Sequence, residues 1–139
     1  MIKVLVADDH AIVRKGIALI IAETTDIVVT DEAKNGQEVL EKTSANDFDL
    51  VLLDISMPGR DGFEILKDLK SRQPKLTVLM LSMHAEEQYA VRALRSGAAG
   101  YLTKDSAPDE LITAIRKVAA GSKYVSASLA EGLADKLDE

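Results

Sequence analysis

Five side chains suited to phosphoryl or metal chemistry stand at or just beyond the ends of short aliphatic runs. Asp8 and Asp9 follow Val4-Leu5-Val6-Ala7, Asp54 follows Leu50-Val51-Leu52-Leu53, Ser82 follows the run ending at Leu81, and Lys104 comes two residues after Leu102. If the runs are neighbouring parallel strands, Asp8, Asp9 and Asp54 converge in one cleft. Carboxylates so gathered repel by about 1 to 4 kcal/mol per pair ~4 Å apart, at effective dielectrics of roughly 80 to 20. A cation must compensate. Hard oxygen donors suit Mg2+ or Mn2+, which need only one or two carboxylates beside a carbonyl or phosphate. Lys104 is a second positive charge. In a cleft so neutralised, Asp54 can act as a nucleophile toward a phosphoryl donor, forming an aspartyl phosphate. The metal and Lys104 would hold the oxygens of the transferred group, and Ser82 would donate its hydroxyl to it.

The elements that must position these groups follow from hydrophobic period. Strands are predicted at Lys3–Ala7, Ile27–Ala33, Leu50–Leu53, Leu76–Leu81 and Gly100–Leu102, and helices at Ala11–Glu23, Gly36–Ala45, Gly62–Arg72, Glu86–Ser96 and Pro108–Ala120. Pro74 ends the third helix, Gly97 and Gly121 stand where left-handed caps belong, and Pro108 fits a first turn. Strands two to five read as mostly apolar on both faces, which requires helices on both sides of a parallel sheet. The expected fold is α/β: a flavodoxin-like (βα)5 domain with a five-stranded parallel sheet of order 2-1-3-4-5. In such sheets binding concentrates beyond the carboxyl ends of the strands, where the five residues fall. After Gly121 the alternation stops; Ser126 reads as an N-cap and Leu129, Leu133 and Leu137 as one face of a linker helix without a sheet partner.

Composition narrows the function. The 139 residues are 47% apolar and 29% charged, enough for one globular core. No apolar stretch approaches the ~20 residues that cross a bilayer, and no secretory leader is read, so a cytoplasmic location is expected. The absence of cysteine removes disulfide, thiolate-zinc and thiol-nucleophile chemistry. A net charge of −6 is the wrong sign for neutralising a phosphate backbone, so direct nucleic-acid binding is not expected.

Four segments, Val6-Ala7-Asp8-Asp9-His10, Leu52-Leu53-Asp54-Ile55-Ser56-Met57-Pro58-Gly59 with Asp61-Gly62, Leu81-Ser82, and Gly97 to Lys104, resemble the receiver domain of two-component response regulators. The likeness spans about residues 2 to 121. Details such as Asp9-His10 and the Leu-rich tail resemble the subfamily with a helix-turn-helix output domain. The resemblance implies that Asp54 is the phosphoacceptor for a sensor histidine kinase or phosphotransfer protein. It implies that Asp8, Asp9, Asp54 and the carbonyl of Ser56 hold Mg2+. Lys104, Ser82 and the amides of Ser56 and Met83 would contact the phosphoryl group, and Tyr101 would follow Ser82 as the switch aromatic. The helix 4/strand 5 face would change packing, with homodimerisation on phosphorylation as a further outcome. Residues 1–121 are then the receiver and 122–139 a linker helix, the chain being a receiver fragment of a transcription factor or a short regulator. Asp105 stands where many receivers have proline, which leaves the Lys104–Asp105 peptide open. Met83 stands where many have a small residue, which would narrow the mouth.

Plainer readings accompany each residue. Asp8 and Asp9 could be a helix start, Asp54 a turn residue, Lys104 a solvated lysine and Ser82 a strand-end serine; their weight is joint. His10 reads as a first-turn surface histidine, because consecutive side chains at 8, 9 and 10 should not aim at one point. His84 is a candidate at the mouth, and Tyr89 and Phe63 read as packing. Among competing functions, a haloacid-dehalogenase-like phosphatase lacks its second carboxylate, the position being Ser56. A flavodoxin-like carrier would need a phosphate-accepting first loop, which here holds Asp8 and Asp9. An interaction module with a vestigial site remains a third class. Binding preference rather than turnover is the expected output.

Overall fold

β-Branched and leucine-rich runs alternate with segments of helical period, and each run becomes a strand followed by a helix. The computed structural model describes residues 1–84, 86–127, 129 and 130. Its elements are β1 (Ile2–Ala7), α1 (Ala11–Ala22), β2 (Ile27–Ala33), α2 (Gly36–Ala45), β3 (Leu50–Asp54), α3 (Gly62–Arg72), β4 (Thr77–Ser82), α4 (Glu87–Arg95), β5 (Gly100–Thr103), α5 (Ala107–Ala119) and β6 (Tyr124–Val125). The sheet order is β2-β1-β3-β4-β5-β6, with every neighbouring pair parallel. This is the expected flavodoxin-like architecture with one short strand added at the edge.

Alternation along the strands sorts the core into two layers. Leu5, Val51, Leu53, Val78, Met80 and Tyr101 face α2, α3 and α4 through Val39, Ile65, Leu66, Leu69, Ala90 and Ala93. Val4, Val6, Leu50, Leu52, Leu79, Leu81 and Leu102 face α1 and α5 through Ile17, Ile21, Leu111, Ala114, Ile115 and Val118. Every residue of β3 is buried, as a central parallel strand requires.

Helix boundaries follow local chemistry. The side chains of Asn35 and Asp61 accept the backbone N–H of Glu38 and Glu64, at 2.9 and 3.0 Å, and so cap α2 and α3. Gly97 and Gly121 adopt φ of +105° and +97°, the left-handed turns expected of them.

Two expectations are corrected. The second strand is not apolar on both faces: β2 is an edge, and Thr30 and Glu32 are exposed. Its register against β1 shifts between Val4 and Leu5, a bulge of the kind that edge strands accommodate. The segment after Gly121 does find a sheet partner, because β6 pairs with β5. Gly100 makes this approach feasible: a Cβ there would stand 2.4 Å from the Tyr124 carbonyl oxygen. Ser126 stands where an N-cap is expected, its carbonyl accepting the Leu129 and Ala130 N–H groups at 2.9 and 3.2 Å, and its Oγ accepts the Thr103 N–H at 3.0 Å. Leu129 is buried, whereas Leu133 and Leu137 lie outside the described residues.

Candidate functional site

The register of the central strands brings their carboxyl ends into line. Ala7 pairs with Leu53, Asp54 with Leu81, and Ser82 with Thr103, so the residues that follow emerge on one rim. Main-chain bonds pin each exit: Asp8 N–H donates to Ala33, Ile55 N–H to Leu81 and Lys104 N–H to Ser82, at 3.0, 3.1 and 2.8 Å. Arg14, which carried no signal in the sequence, donates to the Asp8 carbonyl at 2.8 Å and to Glu32 at 2.9 Å.

Asp8, Asp9, Asp54, Ser82 and Lys104 all lie at this rim. Lys104 Nζ stands 3.0 Å from Asp8 Oδ2 and 3.4 Å from Asp54 Oδ2. Asp8 and Asp54 are each 1% exposed, while the Asp9 side chain is 25% exposed. Ligand atoms of Asp8, Asp9, His10 and Asp54 lie within 4.8 Å of one another. Three carboxylates against one ammonium leave an excess of negative charge. Asp8 Oδ2, Asp9 Oδ1 and Asp54 Oδ2 are buried and accept no hydrogen bond of good geometry, although Lys104 is near the first and last. Such orphaned oxygens fit a hard divalent cation in charge and donor type.

Electrostatics separate the two buried acids. Burial pushes the Asp54 carboxyl up to about 6, aided by the neighbouring Asp8 charge and only partly opposed by Lys104 and the Ser56 N–H. Burial also opposes ionisation of Asp8, but the His10 N–H, at 2.8 Å, and Lys104 outweigh it and hold that carboxyl below its usual value. Burial opposes the Lys104 charge too, and the two carboxylates more than compensate, so its ammonium is held above its ordinary pKa.

Ser56 donates its N–H to Asp54 Oδ1 at 3.2 Å. Ser82 is fully buried, and its Oγ accepts the His84 N–H at 2.9 Å. Tyr101, also fully buried, donates its hydroxyl to the His84 carbonyl at 2.6 Å. The main chain of His84 therefore joins the serine to the tyrosine, while its ring stacks on Tyr89 at 4.5 Å. Met83 is 76% exposed. Tyr89 and Phe63 stack at 6.4 Å, with the Arg92 guanidinium 4.0 Å over Phe63, so both pack as read. The Lys104–Asp105 peptide is trans.

His10 is the residue underestimated from sequence. Its side chain is 63% exposed, yet its Nδ1 stands 3.1 Å from Asp8 Oδ1 and 3.0 Å from Asp9 Oδ1. An alternating extended chain would send residues 8, 9 and 10 apart. The turn into α1, of which His10 is the N-cap, breaks that alternation.

Comparison with known proteins agrees with this geometry. Residues 4–116 match the response regulator receiver domain. The chain is 38% identical over 134 residues to the response regulator UvrY of Escherichia coli O6:H1, covering 96% of this chain and 62% of that relative, so it spans less than two thirds of the relative's length. A LuxR-family two-component response regulator from Aurantimonas sp. SI85-9A1 superposes with a TM-score of 0.92 at 31% identity, covering 99% of this chain and 98% of that one. The isolated receiver domain of RcsB from Salmonella enterica serovar Typhimurium, solved with the phosphomimetic BeF3−, gives 0.87 at 26% identity over 94% of this chain and 96% of that one. No helix among the described residues is long and apolar enough to cross a membrane. With the acidic rim, the lysine and the sheet order in agreement, the chain belongs to the response regulator receiver domain family.

Proposed function

We propose that this chain is a phosphorylation-controlled switch whose phosphoacceptor is Asp54. The donor is a phosphohistidine on a sensor histidine kinase or phosphotransfer protein. One Asp54 carboxylate oxygen attacks phosphorus, the P–N bond breaks, and its electron pair leaves with the imidazole. With its carboxyl pushed up only to about 6, Asp54 is largely ionised at neutral pH and can attack.

Asp8, Asp9, Asp54 and the Ser56 carbonyl would hold Mg2+, or Mn2+ in its place; the ion supplies charge neutralisation for the transferred oxygens. Lys104 directs its ammonium at the same oxygens, and Ser82 with the Ser56 and Met83 amides donates hydrogen bonds to them. Asp54 gains about two negative charges, Ser82 turns toward them, and Tyr101 follows through the His84 main chain. The α4/β5 face thereby shifts between two packings, and binding preference is the output. In this reading residues 1–121 are the receiver and 122–139 a linker. Transcription would be controlled through a C-terminal DNA-binding domain, and phosphorylation would favour a homodimer in the cytoplasm.

The observation that carries the reading is the Lys104 ammonium between Asp8 and Asp54, against buried carboxylate oxygens that accept no hydrogen bond of good geometry. Acetyl phosphate with Mg2+ should add one base-labile phosphoryl group, seen by intact mass, and Asp54→Asn should not acquire it. Undiminished incorporation in that variant rejects the assignment.

A further inference from the structure

Beyond Gly121 the chain crosses the edge of the sheet and touches both core layers. Tyr124 packs with the α1/α5 layer and donates its hydroxyl to Glu110 at 2.5 Å, while Val125 and Leu129 join the layer that contains Tyr101. Ser126 lies between them and is fully buried. Its N–H donates to the Tyr101 carbonyl at 3.1 Å, and its Oγ accepts the Thr103 N–H at 3.0 Å. The β5–β6 ladder ends at Tyr101 and Val125, so the serine hydroxyl takes the place of the next backbone acceptor.

The neighbouring contacts tighten this hold. Ser106 Oγ stands 3.0 Å from Ser126 Oγ and donates to the Thr103 carbonyl at 3.0 Å. Thr103 is thus gripped at its N–H by the buried Ser126 hydroxyl and at its C=O by the half-buried Ser106 hydroxyl, and the next residue is Lys104. A lysine stem has several rotatable bonds, so the placement of its ammonium depends on how firmly its Cα is anchored. Lys104 is anchored on one side by its N–H to Ser82 and on the other through Thr103.

We propose that Ser126 is a positioning residue for Lys104, and that docking of segment 122–127 on β5 and occupation of the phosphoryl site stabilise each other. This rests on the function proposed above and adds a regulatory link from that site to the segment following α5. Linkage requires reciprocity: whatever fixes Lys104 for the phosphoryl oxygens also favours the docked segment, and the docked segment favours the bound anion.

The test uses the 139-residue chain with BeF3− and Mg2+ as the probe. Ser126→Ala leaves the Thr103 N–H unpaired and should weaken BeF3− binding about threefold to tenfold. Thr43→Val, which removes another buried hydroxyl, in α2, should lower stability without changing that affinity. Because Ser126 acts through Lys104, Ser126→Ala should have no further effect on BeF3− affinity in a Lys104→Ala background. In the unsubstituted chain BeF3− should slow hydrogen exchange at the Thr103 and Ser126 amides, a readout available even if Ser126→Ala does not fold. Unchanged affinity in folded Ser126→Ala, additive effects with Lys104→Ala, or unchanged exchange at Ser126 overturns the proposal and leaves the phosphoacceptor reading intact. Failure of the unsubstituted chain to bind BeF3−, or equal binding by Asp54→Asn, overturns both.

Discussion

Asp8 and Asp54 share one counter-ion unequally. Lys104 Nζ is 3.0 Å from Asp8 and 3.4 Å from Asp54, and Asp8 also accepts the His10 N–H at 2.8 Å, whereas Asp54 accepts the Ser56 N–H at the longer distance of 3.2 Å. Burial opposes both charges, so the better-served acid falls below its usual pKa and the other rises to about 6. The proposed nucleophile is therefore the less stabilised carboxylate.

This asymmetry fixes a pH dependence of stability. Asp54 binds its proton more tightly when folded, so its ionisation imposes no penalty below about pH 4, an increasing one from about pH 4 to 6, and a constant one above. In metal-free buffer Asp54→Asn should be more stable than the unsubstituted protein by on the order of 2 to 3 kcal/mol at pH 7 and nearly equal to it near pH 4. Urea unfolding across that range checks the sign. A difference independent of pH would contradict the origin in burial.

Removing Lys104 leaves two buried carboxylates without their cation. Lys104→Met should cost about 2 to 4 kcal/mol without metal, and less when Asp54→Asn is also present. A thermodynamic cycle of the two substitutions measures the difference; simple additivity would show that the 3.4 Å contact contributes little.

Divalent cations should raise the melting temperature, because an ion bound only to the folded state stabilises it by roughly 2.7 kcal/mol at a hundred times its Kd. Asp9→Asn should lose most of this response to Mg2+. Thermal unfolding over a Mg2+ series decides the matter, and an undiminished response would remove Asp9 from the donor set.

Gly100→Ala would place a methyl group 2.4 Å from the Tyr124 carbonyl oxygen and 2.9 Å from Leu79 Cδ1. Backbone cannot yield as a flexible side chain can, so β6 should lift from β5 at a cost of about 1 to 3 kcal/mol. Hydrogen exchange should then show loss of protection at the Tyr124 and Ser126 amides while β1 and β3 stay protected. Retained protection at both amides would mean that β6 tolerates the methyl.

Hydrophobic period was sufficient for the five βα units, because a central strand such as Leu50–Asp54 has to be apolar on both faces and a helix such as α5 has to be amphipathic. The same logic placed Asp8, Asp54, Ser82 and Lys104 at strand ends, since a polar or charged residue closing an aliphatic run marks where the core stops. Period carried no information on β6, a two-residue strand whose partner lies across a turn and whose approach depends on Gly100. Nor could it reveal that His10 Nδ1 reaches two carboxylates, that the His84 main chain joins Ser82 to Tyr101, or that the Ser126 hydroxyl holds Thr103. Burial patterns report which residues face the core, one element at a time. Contacts between elements depend on register and turn geometry, which arise only when the chain is packed.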